Sequence, residues 1–220
     1  MAEKKNAIAY LLYSSILSGF IISWAMGASL MAEYFTDQFL IGALIRPVGI
    51  VLIGLGGFKT YTSQLEKAAT VGEEYLHGFA NKIILILIGN IIGVMLGGAF
   101  ALVYMPPGAL KVWHTWAIDI SKMHPDRAFA YAIVTGMLIA LAFNIAARHQ
   151  HAIDKAICIY IPVAILEMCG FLHCITILFF MLPVMFTSIT PLAIAFVVLL
   201  GNTVGGLVGS DLVNRAFKAK

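Results

Sequence analysis

Apolar residues along this chain run in blocks and do not alternate with polar ones. The long blocks are Ala7 to Ala32, Phe39 to Phe58, Ile83 to Tyr104, Ala128 to Ala147, and Ala156 to Ile189, the last continuing past Pro191 to Val208. A membrane-crossing helix needs about 20 mostly apolar residues, and the final block, roughly fifty long, has room for two. The pattern therefore predicts an all-α membrane protein with six transmembrane helices in a single domain.

Composition agrees. The chain is 61% hydrophobic and 11% charged, where soluble domains carry about 25% charged residues. The basic residues then orient the blocks. Lys4, Lys5, Lys67, Lys82, Arg148, Lys155, Arg215, Lys218 and Lys220 fall at the two ends and in the second and fourth connections. The other side has Lys111, Lys122 and Arg127, all in the third connection. Positive charge gathers on the cytoplasmic side, so both termini are expected there, in a multi-pass plasma or inner membrane protein. The net charge of +3 reflects topology. No basic patch with interleaved aromatics suggests nucleic acid. MAEKKN precedes a run too long for a signal-peptide core, so that run reads as the first span. Cys158, Cys169 and Cys174 form no CxxC and read as packing residues, with no metal site or disulfide.

The chain is written twice. GNIIGVMLGG (residues 89–98) recurs as GNTVGGLVGS (201–210), and GGFKTYTSQL (56–65) as CGFLHCITIL (169–178), at offsets of 112 and 113. Two pairs at nearly one offset point to duplication. Repeat one covers about residues 7–105 and repeat two about residues 127–216. Three spans per repeat is odd, so the halves enter the membrane in opposite senses, an aquaporin-like inverted repeat. In such folds the site lies near the midplane, where corresponding helices break. The expected breaks are in spans two and five, Gly54 to Ser63 and Gly170 to Thr176. Glycines of the GNxxGxxxG stretches allow close helix packing, and the amides of Asn90 and Asn202 are placed to bond the exposed backbone of a broken neighbour.

Four ionisable groups fall in or at the edge of spans: Arg46, Lys59, Glu167 and His173. Such residues are expensive in a membrane and mark function by default. His173 sits in one break, opposite the TYTS stretch of the other, and histidine exchanges protons near neutral pH. Lys59 either lines a pore or snorkels to the cytoplasmic face. Glu167 is expected in a buried pair with Arg46 or Lys59. Arg46 precedes Pro47 and reads as an outer anion-attracting residue, a packing ion pair or an interfacial anchor.

These residues resemble the formate/nitrite transporter family, pentameric channels for small monovalent weak-acid anions. The family's GFEHxxANMF is similar to GFLHCITILFF here, and its Asp/Glu-Leu-Phe-Thr-Gly/Ser break to Lys59-Thr60-Tyr61-Thr62-Ser63. Asp154-Lys155-Ala156, Pro162-Val163-Ala164, the twin GNxxG motifs and Asn144 also match. The resemblance implies that His173 and Thr62 meet at the pore centre, with Thr60 and Tyr61 at the cytoplasmic constriction. It implies an outer constriction near Arg46 and Leu166, and a vestibule cation at Lys122 or Arg127. It also marks departures. Lys59 and Leu172 stand where the family has carboxylates, Arg46 where it has an aromatic, and Thr176-Ile177-Leu178 where it has Ala-Asn-Met.

The expected function is a channel or transporter for formate, nitrite, hydrosulfide or a similar anion. A positive vestibule would gather the anion, and the central histidine would assist proton-linked permeation. The partners implied are such anions, protons, lipid and four further copies of the chain, with no cofactor. The alternatives are a neutral-solute channel of aquaporin-like architecture, although the NPA pair is missing, and a non-conducting family member acting as a membrane partner, its pore shut by Leu172 and a Lys59–Glu167 pair. With no nucleophile–base set or metal-ligand spacing, an enzyme is not expected.

Overall fold

In the computed structural model, residues 2–65, 67 and 75–218 are described. Lys220, part of the charge pattern above, lies outside the described residues, as do the side chains of Lys4 and Lys5. All regular structure among the described residues is helical. The elements are α1 (Ala2–Thr36), α2 (Phe39–Ile45), α3 (Pro47–Gly56), α4 (Tyr61–Leu65), α5 (Leu76–Tyr104), α6 (Pro107–Ser121), α7 (Pro125–Ala146), α8 (Ala152–Met168), α9 (Cys174–Met181) and α10 (Ile189–Lys218). Among the described residues, five stretches are long and apolar enough to cross a membrane: Asn6–Thr36, Phe39–Gly56, His77–Tyr104, Pro125–Ala146 and Ile189–Lys218. The fifth apolar block of the sequence is divided between α8 and α9, too short singly to count among them.

Two parallel helix pairs frame the molecule. Helix α5 lies along α1, with Gly89, Gly93 and Gly97 against Ser15, Ile16, Phe20 and Ser23. Helix α10 lies along α7 in the same way, with Gly201, Gly205 and Gly209 against Ala132, Ile133 and Met137. A Cβ on Gly93 would run into the Ile16 carbonyl oxygen, and one on Gly205 into that of Ile133. With apolar solvent on all sides, helices gain little from hiding apolar surface and associate through such close backbone packing.

Helix α6 was not among the elements read from sequence. Pro107 starts it at the position where a missing N–H costs nothing. Its buried face is Ala109, Trp113, Ala117 and Ile120, at helical spacing. Trp113 is stacked on Phe179 at 4.5 Å and donates its indole N–H to the Phe179 carbonyl at 3.0 Å. This pins α6 over α9.

Candidate functional site

Two interruptions of the helical path, between α3 and α4 and between α8 and α9, lie against one another. At the first, α3 ends at Gly57 with φ 68°, and at the second, α8 is followed by Gly170 with φ 69°. The left-handed region is open to glycine without steric cost. It lets Gly57 N–H bond the Gly54 carbonyl and Phe58 N–H that of Ile53. Gly170 N–H and Phe171 N–H bond the carbonyls of Glu167 and Leu166 in the same pattern, a Schellman closure at each end. Every one of these atoms has its counterpart 113 residues later.

Beyond each turn, three extended residues carry backbone groups that no helix satisfies. One asparagine serves each. Asn90 Oδ1 accepts from Tyr61 N–H at 2.8 Å, and its Nδ2 donates to the carbonyls of Lys59 at 3.1 Å and Ser15 at 2.8 Å. Asn202 Oδ1 accepts from Cys174 N–H at 2.8 Å, and its Nδ2 donates to those of Leu172 and Ala132, both at 2.9 Å. Lys59 N–H is taken up by Ser14 Oγ at 3.0 Å.

Each short helix then starts on a capping side chain. Thr60 and Ser63 exchange hydrogen bonds at the start of α4: Ser63 N–H donates to Thr60 Oγ1 and Thr60 N–H to Ser63 Oγ. At the corresponding place before α9 stands His173, whose Nδ1 accepts from Thr176 N–H at 3.3 Å. That bond fixes the imidazole chemistry. A nitrogen that accepts carries no proton, so in the neutral ring the proton is on Nε2. Nε2 lies 2.8 Å from Thr62 Oγ1, so it donates there, and the threonine hydroxyl hydrogen is left to donate elsewhere. Both side chains are buried.

A second polar cluster lies between this centre and α6. Arg46, only 2% exposed, sits at the α2–α3 junction. Its Nη1 is 3.4 Å from Glu167 Oε2 and its Nη2 is 3.5 Å from Glu33 Oε2, while Nε donates to Ser29 Oγ at 3.3 Å. The rings of Trp116, Phe180 and Phe39 surround the guanidinium at 4.7, 5.0 and 5.5 Å. Glu33 is also held by Trp116 Nε1–H at 3.0 Å. Two cavities flank the cluster. One of about 640 Å³ is lined by Glu33, Tyr34, Phe39, Lys111, Trp116 and Asp119 among others. The other, about 20 Å³, is lined by Arg46, Trp116, Glu167, Leu172 and Thr176 among others. It has room for about one water molecule.

A family model described as formate/nitrite transporter matches residues 1–215. The chain belongs to this family. Among solved structures, it is similar to a pentameric formate channel with formate bound, at 19% identity and a TM-score of 0.81, covering 98% of this chain and 99% of that one. An FNT family ion channel gives 16% identity and a TM-score of 0.82 over 99% of this chain and 92% of that one. No curated protein sequence matches. Family membership and the long apolar helices make this a multi-pass membrane protein, in a family of transporters and not of enzymes.

Within this formate/nitrite transporter family member, the residues named from sequence are distributed as follows. Thr62 and His173 are hydrogen-bonded. Glu167 pairs with Arg46; no ion pair joins it to Lys59 among the described residues. Lys59 is half-buried, and its backbone is shared between Ser14 and Asn90. Thr60 is spent on the α4 cap. Tyr61 turns its hydroxyl to Thr203 Oγ1 at 2.6 Å. Leu166 and Leu172 are buried. Asn144 donates to the Ala140 carbonyl within α7, and no hydrogen bond among the described residues links it to His173 or Thr62. Lys122 and Arg127 are exposed, and the cation lining the larger cavity is Lys111. Among the described residues no three His, Cys, Asp or Glu side chains converge as a metal-binding group.

Glu33, Ser29, Trp116 and Phe180 are the site residues that sequence reading missed. A signal existed for Glu33: it is a carboxylate at the end of a long apolar block facing a connection poor in cations. For Trp116 the signal was its place one helical turn before Ile120 in an unrecognised helix.

Proposed function

We propose that this protein is a channel for small monovalent weak-acid anions, such as formate, nitrite or hydrosulfide. It would cross the membrane six times in two inverted halves, repeat one about residues 7–105 and repeat two about residues 127–216. Spans two and five would be broken at the interruptions described above, with both termini cytoplasmic, α6 outside and five copies in the ring. The observation that carries the functional reading is the buried Thr62–His173 hydrogen bond where the two interruptions meet.

A bare anion enters a low-dielectric passage only at high cost. Thr62 offers a hydroxyl donor there, backed by the Nε2–H of His173. A weak-acid anion has a second recourse, because it becomes neutral on taking a proton. His173 is the proton-exchanging group at the centre, and a second proton on its ring requires giving up the Thr176 N–H at Nδ1. Proton passage is thereby coupled to the cap of α9. Lys59 and Leu172, in place of two carboxylates, remove negative charge near the centre and favour anions. The outer constriction falls at Arg46 and Leu166, and Thr60 and Tyr61 line the cytoplasmic approach.

Formate and nitrite uptake into proteoliposomes, with and without a pH gradient, tests this. Saturable uptake that falls in Thr62→Val and recovers in Thr62→Ser supports the proposal. The tight packing around Arg46, with its small inner cavity, favours one alternative, a family member with a shut path. Uptake at the level of empty liposomes for every anion would select that alternative.

A further inference from the structure

The side chain of Glu33 occupies a place built for a free anion. Its two oxygens meet donors from two different elements, Oε1 from the Trp116 indole and Oε2 from the Arg46 guanidinium. One oxygen per donor, with the donors converging, is how a small carboxylate or oxyanion is recognised. Aromatic faces around Arg46 keep the guanidinium plane fixed, so that its N–H edges point at acceptors and not at the rings.

The charges do not balance. One guanidinium faces two carboxylates, and each contact to it is single and long, at 3.4 and 3.5 Å. Arginine is better satisfied by bidentate pairing, and surplus buried charge is costly. Of the two carboxylates, Glu33 is the one able to leave. Its side chain is 18% exposed against 7% for Glu167, and it lines the large cavity, whereas Glu167 lines the small one. Lys111 lines that large cavity as well, together with Asp119, and gives a departing Glu33 carboxylate a cation to meet there. Arg46 bridges the two carboxylates, and Trp116 borders both cavities, so an anion held by these donors stands between the large cavity and the small one.

We propose that Arg46 Nη2 and Trp116 Nε1 form a second anion-binding site, for small monovalent carboxylates and oxyanions. Glu33 fills it as a tethered substitute and vacates it by swinging into the large cavity. The choice of ligand class rests on the anion-channel reading, so the decisive test reads binding and not flux.

Equilibrium binding of radiolabelled formate to the purified protein in detergent provides that test. Glu33→Ala, which removes the competitor and leaves both donors, binds formate about tenfold or more tighter than the unmodified protein. Glu33→Gln keeps the volume and lies between, because its amide NH₂ cannot accept from both donors. Adding Arg46→Met to Glu33→Ala abolishes the gain. Equal formate affinity in Glu33→Ala and the unmodified protein, with both folded by thermal melting, overturns the proposal. If Glu33→Ala does not fold, equal affinity in Glu33→Gln does the same. The failures are distinguishable. A gain in Glu33→Ala without any flux through the unmodified protein sinks the channel reading alone, while flux without a gain sinks the second site alone.

Discussion

Asn90 and Asn202 make the same three hydrogen bonds. Each takes the first amide of a short helix on Oδ1 and gives its Nδ2 hydrogens to two carbonyls, one in the neighbouring extended segment and one in a long helix. In hydrocarbon no water replaces these bonds. The two interruptions that hold Thr62 and His173 in place therefore each depend on one amide.

Asn90→Ala and Asn202→Ala should both destabilise the protein strongly. Each strands a buried N–H and the carbonyl of an extended residue, Lys59 or Leu172, at about 1–3 kcal/mol per orphaned group. Melting in detergent measures the loss. A fall for one variant and none for the other would contradict the equivalence of the two asparagines.

The turn glycines give a second test. Nothing lies within 4 Å of a Cβ built on Gly57 or Gly170, so a side chain there meets only backbone strain. Gly170→Ala should cost about 1–2 kcal/mol, with Gly170→Asn cheaper and Gly170→Val dearer. Equal stability across the three would show that the left-handed turn is not required.

Gly93 and Gly205 behave differently, because each faces a backbone carbonyl of the adjacent long helix. Gly93→Ala and Gly205→Ala should separate the parallel pairs and cost more than about 2 kcal/mol each. Size-exclusion profiles and melting report this, and a neutral effect would refute the close packing.

Arg46 and Glu167 should be coupled. Arg46→Met leaves Glu167 buried without its cation, a loss of about 3–5 kcal/mol. Arg46→Met with Glu167→Met should be less destabilised than the sum of the single variants. Strict additivity in the double-mutant cycle would mean that the 3.4 Å contact contributes nothing.

The sequence carried the skeleton of this arrangement because its strongest signals are repeated. Gly57-Phe58 and Gly170-Phe171 stand out against apolar surroundings, and so do the two GN dipeptides. The family resemblance follows from the same residues. The outer cluster was only half visible. Arg46 and Glu167 are conspicuous as charges within apolar blocks, but their company is not. Glu33 lies at a block end, where a carboxylate reads as a solvated residue. Ser29 and Phe180 are ordinary helix residues whose partners are set by tertiary packing. Helix α6 was hidden because Lys111, His114 and Asp119 dilute its apolar positions to the level of a loop. The Pro-Pro-Gly start and the spacing of Ala109, Trp113 and Ala117 were the available cue.

The most direct test is formate uptake by proteoliposomes carrying His173→Asn. Asparagine can cap α9 as His173 does, but it cannot take up or release a proton. The unmodified protein should show saturable uptake. The variant should fold and lose at least about tenfold of that rate at every pH tested. Uptake by folded His173→Asn at the unmodified rate would contradict the central role given to His173.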